Sequence, residues 1–144
     1  MVEEIKKDEI YKLKNIYKFD IYKILRDSLG SDIANGKKVV LAYIDNYIVK
    51  GAITLNIDDS SIHLNNLIVL SKYRKKGIGT ILVSSAIKYG YDNNFNSINL
   101  SVREDNDAAI KIYDNEEFIV TNIKSDNIGK YFEMTKDLDK KKIR

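Results

Sequence analysis

The segment Arg74-Lys75-Lys76-Gly77-Ile78-Gly79-Thr80 constrains this chain more than any other. It follows an apolar run, Leu67 to Leu70, and opens a stretch with helical spacing, so basic and glycine residues fall where a strand gives way to a helix. Amides at a helix start have no intrahelical partner, the helix dipole is positive there, and glycine lets the main chain approach an anion closely. Such a junction suits phosphate, and Arg74, Lys75 and Lys76 add charge. Spacing separates the phosphate loops that share this physics. A nucleoside-triphosphate loop needs lysine after its last glycine, where this chain has Thr80. A dinucleotide fingerprint needs a third glycine where Leu82 stands.

Arg-x-x-Gly-x-Gly after a strand ending near Val69 resembles the acyl-coenzyme A loop of the GCN5-related N-acetyltransferase (GNAT) superfamily. A second segment carries the same resemblance independently. Asn106-Asp107-Ala108-Ala109-Ile110-Lys111-Ile112-Tyr113-Asp114-Asn115-Glu116-Glu117-Phe118 matches the family's asparagine, short helix with Ala-Ile, tyrosine, and phenylalanine that follow a later strand. It departs at Glu117, where the family has glycine. Asn115 is the expected substitute for that left-handed residue.

Periodicity predicts a short strand Val2 to Ile5, a helix carrying Ile10, Leu13, Ile16 and Tyr17, and a second helix from Asp20 to Leu29 stopping near Gly30. A hairpin follows: Val39 to Ile44, a turn at Asp45-Asn46, and Tyr47 to Ile57 with a bulge at Gly51. A fourth strand, Ile62 to Leu70, precedes a helix from Ile78 to Tyr91. A fifth strand, Ser97 to Val102, leads to a helix from Asp107 to Asn115, and two further strands, Phe118 to Ile123 and Lys130 to Thr135, pair at the end. The 144 residues are read as one domain, with 136–144 a solvated tail. The resemblance implies an α/β fold of the acyl-CoA N-acyltransferase type. Its central sheet is mixed but mostly antiparallel, with flanking helices, and its parallel fourth and fifth strands splay to accept pantetheine.

Composition narrows the chemistry. Cysteine is absent, which removes disulfides, thiolate nucleophiles and thiolate metal sites, and His63 is the single histidine, so neither a metal centre nor a histidine triad is expected. The net charge of +3 is modest and dispersed, so a nucleic-acid module built on Lys72, Arg74, Lys75 and Lys76 is the weaker reading. No apolar run approaches membrane-spanning length and the start lacks a signal-peptide core, so the expectation is a cytoplasmic protein without a membrane partner.

The resemblance implies acetyl transfer from acetyl-coenzyme A to a primary amine by direct attack in a ternary complex. It assigns coenzyme binding to Leu67, Ile68, Val69, Arg74, Lys75, Lys76, Gly77, Ile78, Gly79, Thr80, Asn106, Ala109 and Tyr113. A strand that loses its neighbour must satisfy its ladder groups elsewhere, so the main chain of Leu67 to Val69 meets the pantetheine, and an N–H near Val69 meets the acetyl carbonyl. Arg74 can fork across phosphate oxygens. Asn106 caps its helix. Tyr113 is assigned the departing thiolate, because a tyrosine pKa near 10 suits donation to sulfur. Branches that acetylate protein N-termini place a base near the end of the fifth strand, where this chain has Ser101, so none carries over. His63, Glu104, Asp105 and a water chain stay open as the base. Tyr11, Tyr17, Asp20 and Tyr22 fall in the helices expected to line the acceptor site, which suits a small-molecule amine or a peptide or protein amine. Homodimerisation through the C-terminal strands is compatible with the family. A non-catalytic acyl-coenzyme A sensor is the competing function.

Overall fold

The computed structural model describes residues 1–17 and 19–138, apart from the side chains of residues 19–25. Seven strands, β1 (Val2–Glu4), β2 (Lys38–Asp45), β3 (Ile48–Ile57), β4 (Ser61–Val69), β5 (Ser97–Arg103), β6 (Ile119–Ser125) and β7 (Lys130–Asp137), form one sheet in the order β1-β2-β3-β4-β5-β7-β6. A 3-10 helical segment, Lys7–Leu13, and α1 (Phe19–Ala34) precede β2, while α2 (Ile78–Asp92) and α3 (Asp107–Asn115) flank β5 in sequence. All neighbouring strands are antiparallel except β4 and β5. This is the mixed α/β sheet that the sequence led one to expect.

Alternation along the strands buries both faces of the sheet. Val39, Leu41, Ile53, Leu55, Ile62, Leu64, Ile98 and Leu100 form one core with Leu82, Val83 and Ala86 of α2 and Tyr113 of α3. On the opposite face, Val40, Ala42, Val49 and Ala52 pack with Ile5, Ile10, Leu13 and Leu29. Side chains of successive strand residues point to opposite faces, which is why one apolar run serves two cores.

Several boundaries fall elsewhere than the pattern suggested. The first helical segment is 3-10 and ends at Leu13, although Ile16 is still buried beyond it. Gly30 does not stop α1, which runs on to Ala34. The stop lies at Gly36, whose φ of 72° is the left-handed conformation that ends helices, and its N–H donates to the Ile33 carbonyl at 3.1 Å. The hairpin turn is Asn46-Tyr47, with φ of 49° and 64°, a turn whose twist matches that of its strands. In the β2–β3 pair Tyr43 faces Gly51 and Ile44 faces Val49, so Lys50 is the extra residue of the bulge expected at Gly51. At the C-terminus β7 extends to Asp137 and Leu138 is buried, its N–H donating to the Asn96 carbonyl at 2.8 Å. The solvated tail expected from Lys136 is therefore ordered strand through Asp137, and 139–144 lie outside the described residues.

The exit from α3 also differs. Asn115 is the last helical residue, and the left-handed conformation belongs to Glu117 itself, at φ 67°. The chain needs that turn to bring Phe118 back onto Tyr113, where their rings meet edge to face at 5.7 Å. A non-glycine residue there carries backbone strain. Glu117→Gly is expected to stabilise the fold by about 1 kcal/mol, read as a raised midpoint in denaturant at unchanged slope.

Candidate active site

The parallel pairing of β4 with β5 is brief. Ser61 pairs with Ser97, Ile62 with Ile98 and His63 with Asn99, and there the pairing ends. Two features of β4 accompany the divergence. Between Ala52, which faces Ile68, and Thr54, which faces Asn65, β4 carries one residue more than β3, and Asn66 sits in the left-handed region at φ 52°. This bulge also inverts the alternation. Ile62 and Leu64 point to the α2 core before it, whereas Leu67 and Val69 do so after it, and Ile68 packs against the opposite core.

A cavity of about 270 Å³ occupies the wedge, lined on the β4 side by His63 to Leu67 and on the other by Ser101, Val102, Arg103, Asn106, Ala109 and Tyr113. The strand alternation places His63 on the sheet face opposite Ile62 and Leu64, while Tyr113 belongs to the α2-side core. The two side chains thus approach one cavity from opposite faces of the sheet. Asn106 caps α3, its Oδ1 accepting from the Ala109 N–H at 3.3 Å, which fixes the start of the helix that delivers Tyr113.

Beyond the wedge, the basic glycine loop reaches α2. Lys75 and Gly77 have φ of 64° and 81°, and Gly77 is the N-cap residue, a conformation open to glycine at little cost. The Gly77 carbonyl accepts from the Ile81 N–H at 3.0 Å, and the Ile78, Gly79 and Thr80 amides precede that bond at the positive end of the helix. Arg74 Nε donates to the Val69 carbonyl at 3.0 Å. This residue therefore ties the loop to the end of β4, a role the motif did not announce. Lys50, Lys72 and Lys76 surround the Tyr73 ring, with ammonium-to-centroid distances of 4.7, 5.1 and 6.0 Å.

The sequence model of the acetyltransferase (GNAT) family matches residues 4–118. The chain belongs to this family. Over 94 residues it is 35% identical to the probable N-acetyltransferase san of Drosophila melanogaster, covering 62% of this chain and 50% of that protein. Over 86 residues it is 33% identical to streptothricin acetyltransferase A of Bacillus subtilis (strain 168), covering 59% of this chain and 49% of that protein. Those matches span about half the length of the curated relatives. Among solved structures, yncA of Salmonella typhimurium with its cofactor acetyl-CoA superposes with a TM-score of 0.80 over 97% of this chain and 94% of that one, at 16% identity.

Within this GNAT fold the candidates for the base separate. Glu104 and Asp105 are exposed in the turn after β5 and do not line the cavity; His63 does. Its Nδ1 meets Oδ1 of Asn99, a partner that sequence reasoning missed because it lies 36 residues away. Arg103 was also missed. It forks onto both carboxylate oxygens of Asp126 at 2.9 and 2.6 Å, joining the end of β5 to the β6–β7 turn and holding Asp126 well below the usual carboxylate range. Of the tyrosines expected at the acceptor site, Tyr11 is exposed and borders a separate cavity between the 3-10 segment and α1. Tyr17 packs on the second core, and the side chains of Asp20 and Tyr22 lie outside the described set. No helix among the described residues is long and apolar enough to cross a membrane, and none of their side chains form a cluster that could hold a metal ion.

Burial pushes the Tyr113 phenol up to about 12, and no protein group hydrogen-bonds its hydroxyl among the described residues. An unfolded tyrosine ionises near 10, so between those pH values the unfolded chain releases a proton that the fold retains. Stability then falls as pH rises through this window, by about 2 to 3 kcal/mol in all. Denaturant titrations at pH 10 and 12 are expected to show this loss in the wild type and a loss smaller by that amount in Tyr113→Phe.

Proposed function

We propose that this chain is an acetyl-coenzyme A-dependent N-acetyltransferase that joins acetyl donor and primary amine in one ternary complex. The observation that carries the reading is the wedge cavity, with Tyr113 on one face of the sheet and His63 on the other. The coenzyme's pyrophosphate lies against the amides of Gly77 to Thr80, with Lys75, Lys76 and the free end of Arg74 as counter-charges. Pantetheine runs into the wedge along Leu67, Ile68 and Val69, pairing with β4 where β5 has left it, and passes Asn106 and Ala109 on the other wall. A β4 amide near Val69 polarises the acetyl carbonyl.

The amine enters from the His63 face. Its nitrogen attacks the acetyl carbon, and the lone pair of the His63 imidazole takes the proton. As the C–S bond breaks, the electron pair leaves on sulfur, toward Tyr113. With its phenol pushed up to about 12, Tyr113 is a weaker acid than a free tyrosine, and full transfer to a thiolate whose acid has a pKa near 8 to 9 runs uphill by roughly 4 to 5 kcal/mol. Of the two roles open to it, hydrogen bonding or protonating the sulfur, the hydroxyl therefore takes the first, as a donor to the developing thiolate. The acceptor is a small-molecule amine or the amine of a peptide or protein.

Thiol release from acetyl-coenzyme A, measured across amino acids, spermidine, an aminoglycoside and a peptide with a free N-terminus, tests this reading. One acceptor class is expected to turn over. Tyr113→Phe is expected to lower kcat about 10- to 100-fold at unchanged coenzyme Kd, and His63→Gln to lower kcat/KM about 100-fold. Coenzyme binding without turnover on every class would favour an acyl-coenzyme A sensor instead.

A further inference from the structure

The vertex of the wedge is a row of three polar residues on adjacent strands. Asn56 of β3 stands directly opposite His63 of β4, and His63 stands beside Asn99 of β5, where the parallel pairing ends. Among register partners on one sheet face, polar groups at this depth are costly unless they are paired. Asn99 Oδ1 meets His63 Nδ1, and with the amide in this orientation the nitrogen facing it carries the hydrogen. Asn56 Oδ1 is buried without a hydrogen-bond partner among the described residues.

A neutral imidazole has one N–H and one lone pair, and which nitrogen holds which is set by the partner of the other. We propose that Asn99 is a positioning residue that holds neutral His63 in its Nδ1-protonated tautomer, leaving the Nε2 lone pair to receive the proton of the acceptor amine. This rests on the reading of His63 as the base. In the opposite tautomer the lone pair would point at Asn99 Oδ1, lone pair against lone pair unless the amide turned over, and the nitrogen presented to the amine would carry a hydrogen and could accept nothing. During turnover the amine nitrogen forms its bond to the acetyl carbon, and its proton passes to Nε2. The sulfur departs with the electron pair of the C–S bond. Asn99 keeps its hydrogen bond throughout, gains no proton, and is still in place when the imidazolium gives its proton to water.

His63 is the single histidine of the chain, so its ring nitrogens are identified without assignment. Long-range proton–nitrogen spectra of the labelled protein, recorded where the ring is neutral, are expected to show protonated Nδ1 and lone-pair Nε2. Asn99→Leu removes the acceptor at similar volume. It is expected to shift the population toward the Nε2-protonated form and to lower kcat about 10- to 100-fold on the best amine of the panel, with the KM for acetyl-coenzyme A unchanged. Asn99→Asp restores an acceptor and is expected to retain the Nδ1-protonated form. It also provides the test if the leucine variant does not fold. A predominantly Nε2-protonated ring in the wild type overturns the proposal, as does an Asn99→Leu protein that loses activity with its tautomer unchanged. Full activity in His63→Gln would overturn the reading of His63 as the base, and the wild-type spectrum is independent of that outcome.

Discussion

After three paired residues β4 has lost β5 on one side, and while β3 still pairs with its other edge, the backbone N–H and C=O groups that it turns toward β5 from Leu64 onward face no strand. A buried ladder group without a partner costs as much as a lost hydrogen bond, and an open strand edge invites another extended chain. The rest of the molecule arranges itself around this opening. The β4 bulge turns Leu67 and Val69 into the α2 core, which holds the divergent half of the strand in place. Arg74 fastens the Val69 carbonyl to the loop beyond, and Asn106 sets the pitch of α3 along the opposite wall. An extended ligand carrying amides, as pantetheine does, is the occupant that the proposed function puts there.

The same opening brings the two faces of one small sheet into contact. A continuous sheet would isolate its two faces; a split one lets them communicate at a single place. Tyr113 belongs to the apolar side, where burial keeps its phenol protonated and prevents it from acting as a base. His63 belongs to the polar side, in a row with Asn56 and Asn99. Tyr113 and His63 are thus separated by the sheet itself, and the Arg103–Asp126 fork closes the far end of β5 without contributing an uncompensated charge.

Much of this was legible in the residues. The spacing from Arg74 to Thr80 and from Asn106 to Phe118 located the loop, the wedge walls and Tyr113, because glycine, cap and turn requirements are local. What the sequence hid was long-range. Asn99 is an ordinary polar residue in a strand until the register sets it beside His63, and Arg103 acquires its partner only when the β6–β7 turn folds back. The parity change at Asn66 leaves no mark in composition, since Asn65 and Asn66 are both exposed. Glu117 shows the limit of reasoning by substitution. Asparagine tolerates the left-handed region better, yet the geometry required it two residues later, and tertiary contact between Tyr113 and Phe118 imposed it on a glutamate.

Coenzyme function in this fold turns on whether the ligand pairs with the open edge of β4. Amide hydrogen exchange, followed residue by residue with and without saturating acetyl-coenzyme A, measures this directly. Slowed exchange in the Leu67–Val69 segment together with the Gly77–Thr80 loop, with β2 and β3 unchanged, is the predicted result. Protection confined to the loop, with the β4 segment exchanging as before, would mean that phosphate is held but the wedge is not entered, and would contradict the central claim.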